Sequence, residues 1–95
     1  TMIQMFVDHP ALSSYDLTSL ENIIYGASPI SEAVLDRASR ALPKVCFTQA
    51  YGMTELSPMA TLLPWKEHIG EGRAKGRHRG AGRATLGCEV RIVDA

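Results

Sequence analysis

The hydrophobic and polar positions predict two short strands in the first half of the chain. Leu20 to Tyr25 contains Ile23 and Ile24 in a β-branched and aromatic run that stops at Gly26. Val45 to Phe47 is a second apolar run, and more polar residues follow it. Short apolar runs that end at glycine or at polar residues are typical of buried strands.

A different spacing between these two runs predicts a helix. Ser31 is a suitable N-cap, Glu32 places a negative charge in the first turn, and Pro43 ends the segment. Between them, apolar residues recur every three or four positions, which puts them on one face of a helix. These apolar residues are Val34, Leu35, Ala38, Ala41 and Leu42.

The order strand, helix, strand from Leu20 to Phe47 predicts a βαβ unit, and hence an α/β fold with two parallel strands. The carboxyl ends of parallel strands lie at the same edge of the sheet, where open α/β sheets bind their ligands. The segments at these ends, Gly26-Ala27-Ser28 and Ala50-Tyr51-Gly52, should therefore face each other across a cleft.

The second half of the chain predicts further short strands on either side of a basic loop. Met59 to Leu63 is predicted as a strand that Pro64 stops, and Glu89 to Val93 as a final strand. Residues 66–83 hold five of the eight glycines and six Lys or Arg against two Asp or Glu, a net charge of +4. We expect a solvated connecting loop there. Contact with CoA phosphates, an acyl-carrier partner or RNA is the alternative.

The overall composition excludes several classes of protein. Basic and acidic side chains are equal in number, ten of each, and the basic loop has no aromatic residues, so we expect no nucleic-acid partner. The two cysteines, Cys46 and Cys88, lie far apart in the sequence, which predicts reduced thiols in the cytoplasm. No apolar run approaches the roughly 20 residues of a membrane span, so we also expect no transmembrane segment.

The length of the chain bounds what it can do alone. A chain of 95 residues allows at most one small domain, which is too small for a complete two-substrate site. It begins at Thr1 and ends just after the strand-like run Val90 to Val93. We therefore expect residues 1–95 to be an internal fragment of a larger domain.

The residues after the second predicted strand combine groups that suit a nucleotide site. Tyr51 offers an aromatic face that can cover a flat heterocycle, and Gly52 lets the backbone approach a ligand closely. Thr54 offers a hydroxyl for a phosphate oxygen, and Glu55 offers a hard oxygen ligand for Mg²⁺. The combination favours a nucleotide site over a solvated loop.

Three stretches of the sequence resemble signatures of the adenylate-forming, or AMP-binding, superfamily. Residues 51–55 are similar to its Tyr-Gly-x-Thr-Glu signature. Tyr25 to Ser31 resembles its Gly-Gly-Ala-Pro-Leu-Ser loop, with Ala27 and Ser28 in place of the second glycine and the alanine. Ala81 to Asp94 resembles its Gly-Arg-Pro-x-x-Gly-x-Glu-x-Arg-Ile-Val-Asp segment. The resemblance covers nearly the whole chain and is closest to fatty-acid or related acyl-CoA synthetases.

This resemblance implies part of an ATP-dependent acid:CoA ligase, which activates a carboxylic acid, here a fatty acid, as an acyl-adenylate and transfers it to CoA. The implied ligands are the carboxylic acid, ATP, Mg²⁺, and CoA as a co-substrate. The implied catalytic residues are Thr54 and Glu55, with Glu55 also as the metal ligand. The implied nucleotide-binding residues are Gly26, Ala27, Ser28, Tyr51, Gly52 and Thr54, and the implied acyl-binding residues are Ala50, Gly52 and Met53.

Two alternatives stay open. An adenylation domain that loads a carrier protein would share these residues and differ only in the thiol that accepts the acyl group. A non-catalytic remnant or binding module would keep the residues without turnover. The family's phosphate loop, its Thr-Gly-Asp motif and its C-terminal lysine domain are absent from these 95 residues, so we expect no ligase turnover from this segment alone.

Overall fold

The computed structural model describes residues 1–94, which form a mixed α/β structure around a four-stranded sheet. The helices are α1 (Met2–Val7), α2 (Glu32–Ala41) and α3 (Gly70–Ala74). The strands are β1 (Asn22–Gly26), β2 (Cys46–Gly52), β3 (Met59–Leu63) and β4 (Arg83–Ala84). Short 3-10 turns cover Leu12–Ser14, Thr54–Leu56, Trp65–Glu67 and Arg77–Arg79. The α/β prediction is confirmed.

The strands follow the order β1-β2-β3-β4 in the sheet. β3 is antiparallel to both β2 and β4, so the parallel part of the sheet is the pair β1 and β2, with α2 between them in the chain. This is the βαβ unit that the sequence predicts. β2 is longer than predicted and extends through Gly52, so Ala50, Tyr51 and Gly52 lie within the strand and not beyond it. Its pairing with β3 is irregular between Tyr51 and Gly52.

The described chain divides into two compact units, and Thr1–Ile23 together with Ser28–Cys46 forms the first. In this unit α1 contacts α2, and the Arg37 guanidinium donates two hydrogen bonds to the Asp8 carboxylate at 3.0 and 3.2 Å. The Ser31 side chain caps α2 by accepting a hydrogen bond from the backbone N–H of Val34. Three apolar residues of the predicted helical face are buried: Leu35, Ala38 and Leu42.

The second unit consists of Ile24–Ala27 and the described part of Phe47–Ala95. Its buried apolar side chains are Tyr25, Phe47, Ala60 and Leu63. Two polar side chains, Thr61 and His68, are buried with them. The Thr61 hydroxyl donates to the backbone carbonyl of Ala81 at 2.6 Å, which holds the segment before β4 against β3. A buried hydroxyl needs such a partner, because an unpaired one would lose its hydration without compensation.

The basic segment 66–83 has more regular structure than the predicted loop. It contains α3 and the 3-10 turn Arg77–Arg79. Lys75 and Glu71 form an i,i+4 ion pair on the surface of the α3 region. Gly72 is buried, and a side chain there would overlap Glu67 and Lys66, so this glycine allows α3 to pack closely on the preceding turn.

The predicted final strand, Glu89 to Val93, is wrong. Residues 89–93 form no strand, and the last strand of the described chain is the shorter β4, which pairs with Thr61 and Leu62 of β3. The side chain of Ile92 is 91 % exposed. An alternating apolar pattern needs a neighbouring strand to supply backbone partners, and residues 1–94 supply none at this position.

Candidate functional site

A shallow cavity lies in the second unit at the ends of β1 and β2. Its volume is about 250 Å³, which is below the roughly 300 to 1,000 Å³ of complete small-molecule sites and suits one part of a larger ligand. Its walls come from the end of β1, the end of β2, and the connection between β2 and β3. The lining residues are Ile24, Tyr25, Gly26, Ala27, Ala50, Gly52, Met53, Thr54, Pro58 and Met59.

Six of the nine residues that the sequence singles out line this one cavity. They are Gly26, Ala27, Ala50, Gly52, Met53 and Thr54, which come from segments more than 20 positions apart in the sequence. The parallel pairing of β1 with β2 explains this, because it brings both strand ends to one edge of the sheet. The remaining three residues, Ser28, Tyr51 and Glu55, do not line the cavity.

The position of Tyr51 follows from the geometry of β2. Successive side chains of a strand point to opposite faces, and Ala50 and Gly52 on either side of Tyr51 both line the cavity. Tyr51 pairs with Thr61 of β3, and half of its surface is exposed. The role of its ring as an adenine platform therefore stays a prediction. Ser28 is exposed and belongs to the first unit.

The two glycines of the cavity allow backbone segments to approach each other. A side chain at Gly26 would overlap the carbonyl oxygen of Ala50, and one at Gly52 would overlap the carbonyl of Pro58 and lie 2.8 Å from the Cα of Met59. From the sequence, Gly52 is predicted to let the backbone approach a ligand closely. The structure adds that this residue is required by the chain's own packing at the irregular part of the β2–β3 pair.

Two residues beside the cavity adopt the left-handed conformation without being glycine. Ala27 has a φ of 64° and Ser57 has a φ of 61°, and they are the only non-glycine residues of the described chain with positive φ. Each such residue costs about 1 to 3 kcal/mol, and residues of this kind concentrate at functional sites. Ala27 lines the cavity, and Ser57 lies between the lining residues Thr54 and Pro58. This strain is independent support for a functional role of the cavity.

Thr54 and Glu55 lie in an exposed 3-10 turn directly after β2. The backbone N–H of Leu56 donates to the carbonyl of Met53 at 2.9 Å, which closes the turn. Within residues 1–94, the Glu55 carboxylate has no ion pair or side-chain hydrogen bond, so it is available to a ligand. The same residues contain no cluster of three or more His, Cys, Asp and Glu side chains that could hold a metal ion.

A buried hydrogen-bonded pair supports the β1 wall of the cavity. The Tyr25 hydroxyl lies 2.7 Å from Nε2 of His68, and the two rings meet edge to face with their centroids 5.7 Å apart. Nδ1 of His68 lies 3.1 Å from the carbonyl oxygen of Pro64, which can only accept a hydrogen bond. Nδ1 therefore carries the proton, and Nε2 accepts from Tyr25.

Burial acts on the ionisation of both members of this pair. It raises the pKa of Tyr25 to about 12, because the phenolate would lose its hydration. It lowers the pKa of His68, again chiefly through lost hydration, which outweighs the opposing effect of the hydrogen bond to Pro64. The pair is neutral near pH 7. No sequence motif links these residues, which are 43 positions apart, so sequence reasoning missed them.

Comparison with known proteins identifies the family of this chain. Residues 1–95 match the AMP-binding enzyme family over their whole length. The chain belongs to the AMP-binding enzyme family. The resemblance seen in the sequence is therefore confirmed. For this AMP-binding family member, the cavity is at the sheet edge where the family signature at residues 51–55 begins.

Individual relatives of this AMP-binding family member are ligases. It is 34% identical over 93 residues to a fatty acid–acyl-carrier-protein ligase of Streptomyces coeruleorubidus, covering 98% of this chain and 17% of that protein. It is 34% identical over 94 residues to a medium/long-chain-fatty-acid–CoA ligase of Mycobacterium tuberculosis, covering 99% of this chain and 15% of that protein. It is also 39% identical over 72 residues to a feruloyl-CoA synthase of Amycolatopsis, covering 75% of this chain and 14% of that protein.

The chain is short compared with its relatives, and its described helices are short as well. The chain spans about a sixth of the length of the curated relatives it matches. Among residues 1–94, no helix combines the length and the apolar character that crossing a membrane requires.

Proposed function

We propose that this chain forms part of the nucleotide and acyl site of an ATP-dependent ligase, which activates a fatty acid as an acyl-adenylate and transfers it to CoA. The observation that carries the proposal is the convergence of six candidate residues on one strained cavity at a parallel sheet edge. Membership of the AMP-binding family and the ligase relatives support the reaction class.

The cavity walls suggest how the nucleotide and the acyl group would be held. The backbone of Gly26 and Ala27 borders one wall and would flank the adenine, with Ser28 continuing this segment. The half-exposed ring of Tyr51 lies on the other face of β2 from Ala50 and Gly52, so it would contact the base outside this cavity. Three further lining residues would border the acyl group: Ala50, Gly52 and Met53.

The chemistry brings two anions together, so it requires neutralisation of charge. An oxygen of the acid's carboxylate attacks the α-phosphorus of ATP, the new O–P bond forms, and pyrophosphate leaves. The sulfur of the CoA thiolate then attacks the acyl carbon, and the C–O bond to AMP breaks. Thr54, which lines the cavity, would donate a hydrogen bond from its hydroxyl to a phosphate oxygen in these steps.

Glu55 is the residue that would hold Mg²⁺. Its exposed carboxylate has no ion pair in residues 1–94, and one protein carboxylate is sufficient where substrate phosphates and water supply the other ligands. Mg²⁺, when bound, would withdraw negative charge from the phosphates. The donor set of residues 1–94 fits that role, whereas it does not fit a metal held by protein side chains alone.

The reaction class can be tested by acid-dependent exchange between ATP and labelled pyrophosphate, in the natural polypeptide that contains these residues. Glu55→Gln and Thr54→Ala should each lower the exchange rate about 100-fold, as expected for removal of one group that stabilises the charged transition state. Glu21→Gln removes an exposed carboxylate just before β1 and serves as the matched control. Equal rates for Glu55→Gln and Glu21→Gln would contradict the assignment.

A carrier protein is a second candidate for the thiol that accepts the acyl group, because one relative is named as an acyl-carrier-protein ligase. In that case the acyl group would pass to the pantetheine thiol of a holo-carrier protein instead of CoA. Supplying both acceptors to preformed acyl-adenylate and measuring the two thioester products separates the candidates. A product only on the carrier would replace CoA in this proposal.

We also propose that the activity is cytoplasmic. Cys46 and Cys88 are free thiols, which suits a reducing compartment. Recovery of the native protein mainly in an extracytoplasmic fraction would contradict this part of the proposal.

A further inference from the structure

A second cavity lies in the same unit, and the ligase function proposed above does not use it. It has a volume of about 380 Å³, within the roughly 300 to 1,000 Å³ of small-molecule sites. Its apolar wall includes Leu63 and Pro64 at the end of β3, and its cationic side chains are Lys66, Arg77 and Arg83. We refer to it as the basic cavity.

The charge of the basic cavity is not balanced by the residues around it. Three cationic side chains line it against one acidic side chain, that of Glu67, which lies 3.4 Å from Arg77. Within the part of the chain that the structure describes, neither Lys66 nor Arg83 has a side-chain hydrogen bond or ion pair. The cavity therefore keeps two positive charges that are available to a ligand.

The walls of the basic cavity are fixed by hydrogen bonds to β3. Ala81 accepts a hydrogen bond from the buried Thr61 hydroxyl, and Arg83 pairs with Leu62 in the β3–β4 ladder. Arg83 therefore projects from an ordered strand and not from a free loop. The backbone that carries Arg83 is ordered before an anion binds, so binding does not have to order this segment.

The basic cavity is separate from the candidate nucleotide cavity. Met59, at the start of β3, lines the nucleotide cavity, and Leu63, at its end, lines the basic cavity. Five residues of extended strand span roughly 13 Å at about 3.3 Å per residue. A single phosphate group cannot occupy both cavities.

We propose that the basic cavity binds a phosphate-bearing small anion. Arginine side chains present a planar fork of donors that matches phosphate oxygens, and lysine adds a compact charge. The absence of aromatic side chains from its lining favours a small anion over single-stranded nucleic acid. The phosphate can come from free pyrophosphate or from the phosphorylated nucleotide end of a larger molecule, and both present the same chemistry.

The proposal is tested by titrating the ¹⁵N-labelled natural polypeptide that contains these residues with pyrophosphate and, separately, with adenosine 3′,5′-bisphosphate at about 0.1 M salt, where long-range charge effects are screened beyond about 10 Å. We expect saturable shifts of the backbone amides of Lys66, Arg77 and Arg83, with smaller changes at Gly26 and Gly52. Similar affinities for the two probes would assign the site to phosphate alone. At least tenfold tighter binding of the nucleotide would assign a contact to its nucleoside as well, and either result supports the site.

A double variant, Lys66→Gln with Arg83→Gln, should weaken binding about tenfold. The matched control is Arg40→Gln with Lys44→Gln, which removes the same charges from exposed positions outside the cavity, and it should change the affinity less than about twofold. Equal weakening by both double variants would show nonspecific attraction, and absence of saturable binding to the unmodified chain would also overturn the proposal. Neither result depends on ligase activity, so failure here leaves the proposed ligase function standing.

Discussion

Replacing Ala27 by glycine should stabilise this protein, although alanine-to-glycine changes normally destabilise proteins. Ala27 has a φ of 64°, where the Cβ atom of an L-residue is crowded by its own backbone. Glycine has no Cβ and adopts this conformation freely. The related superfamily loop has glycine at the corresponding position, so the structure gives a physical reason for the residue that is usual there.

The magnitude follows from two opposing contributions. Relief of the left-handed conformation contributes about 1 to 2 kcal/mol to the free energy of unfolding. The greater freedom of glycine in the unfolded chain removes roughly 0.5 to 1 kcal/mol. The expected net gain is about 0 to 1.5 kcal/mol, centred on about 0.75 kcal/mol. For a chain of this size, a gain of 1 kcal/mol raises the melting temperature by about 4 to 8 °C.

Urea denaturation followed by circular dichroism measures this change, with Ala84→Gly as the control. Ala84 lies in β4 of the same unit, is exposed like Ala27, and does not have positive φ. The identical chemical change at Ala84 should destabilise the chain by about 0.5 to 1 kcal/mol, because glycine weakens a strand. The two variants should therefore shift the unfolding midpoint in opposite directions.

The result that would refute this reasoning is a loss of stability in Ala27→Gly equal to that in Ala84→Gly. Such a loss would mean that residue 27 does not occupy the left-handed region in solution. The strain argument for the nucleotide cavity would then lose its main support, while the family assignment would be unaffected.

Three further predictions concern the second unit. Gly52→Ala should destabilise the chain by about 1 to 3 kcal/mol in urea denaturation, since the new side chain would overlap Pro58; a neutral result would contradict the close packing. Tyr25→Phe should cost about 1 to 3 kcal/mol in thermal unfolding, because Nε2 of buried His68 would lose its donor; an unchanged melting temperature would place that donor elsewhere. The lowered pKa of His68 means that its contribution to stability is complete above pH 6.5, its ordinary pKa, and is lost as the pH falls below 6.5; His68→Asn should flatten this pH dependence of the melting temperature below pH 6.5.

The helix between β1 and β2 was predictable because its determinants are local. Ser31 caps α2, and the predicted apolar face is buried at Leu35, Ala38 and Leu42. Capping and helical periodicity depend on residues within a few positions of each other. The sequence pattern is sufficient wherever the interacting groups are neighbours in the chain.

The errors arose where distant parts of the chain decide the structure. Val90 and Ile92 show the alternation of a strand, but residues 1–94 provide no partner for them, and the last strand forms instead at Arg83–Ala84 against β3. The glycine-rich segment 66–83 contains the helix α3, and Gly72 within this helix packs closely on the preceding turn. Backbone pairing and close approach are tertiary properties, so composition alone misjudges them.

The sequence by itself determined the family, the βαβ unit and the set of candidate residues, since motifs and periodicities are written in consecutive positions. Only the tertiary structure decided which candidates share a cavity, because that depends on strand pairing and on the face to which each side chain points. It placed Gly26 and Gly52 in that cavity and Tyr51 outside its lining. It also joined the Tyr25 hydroxyl to Nε2 of His68 across 43 positions, because buried polar groups need hydrogen-bond partners and folding brings these two within 2.7 Å.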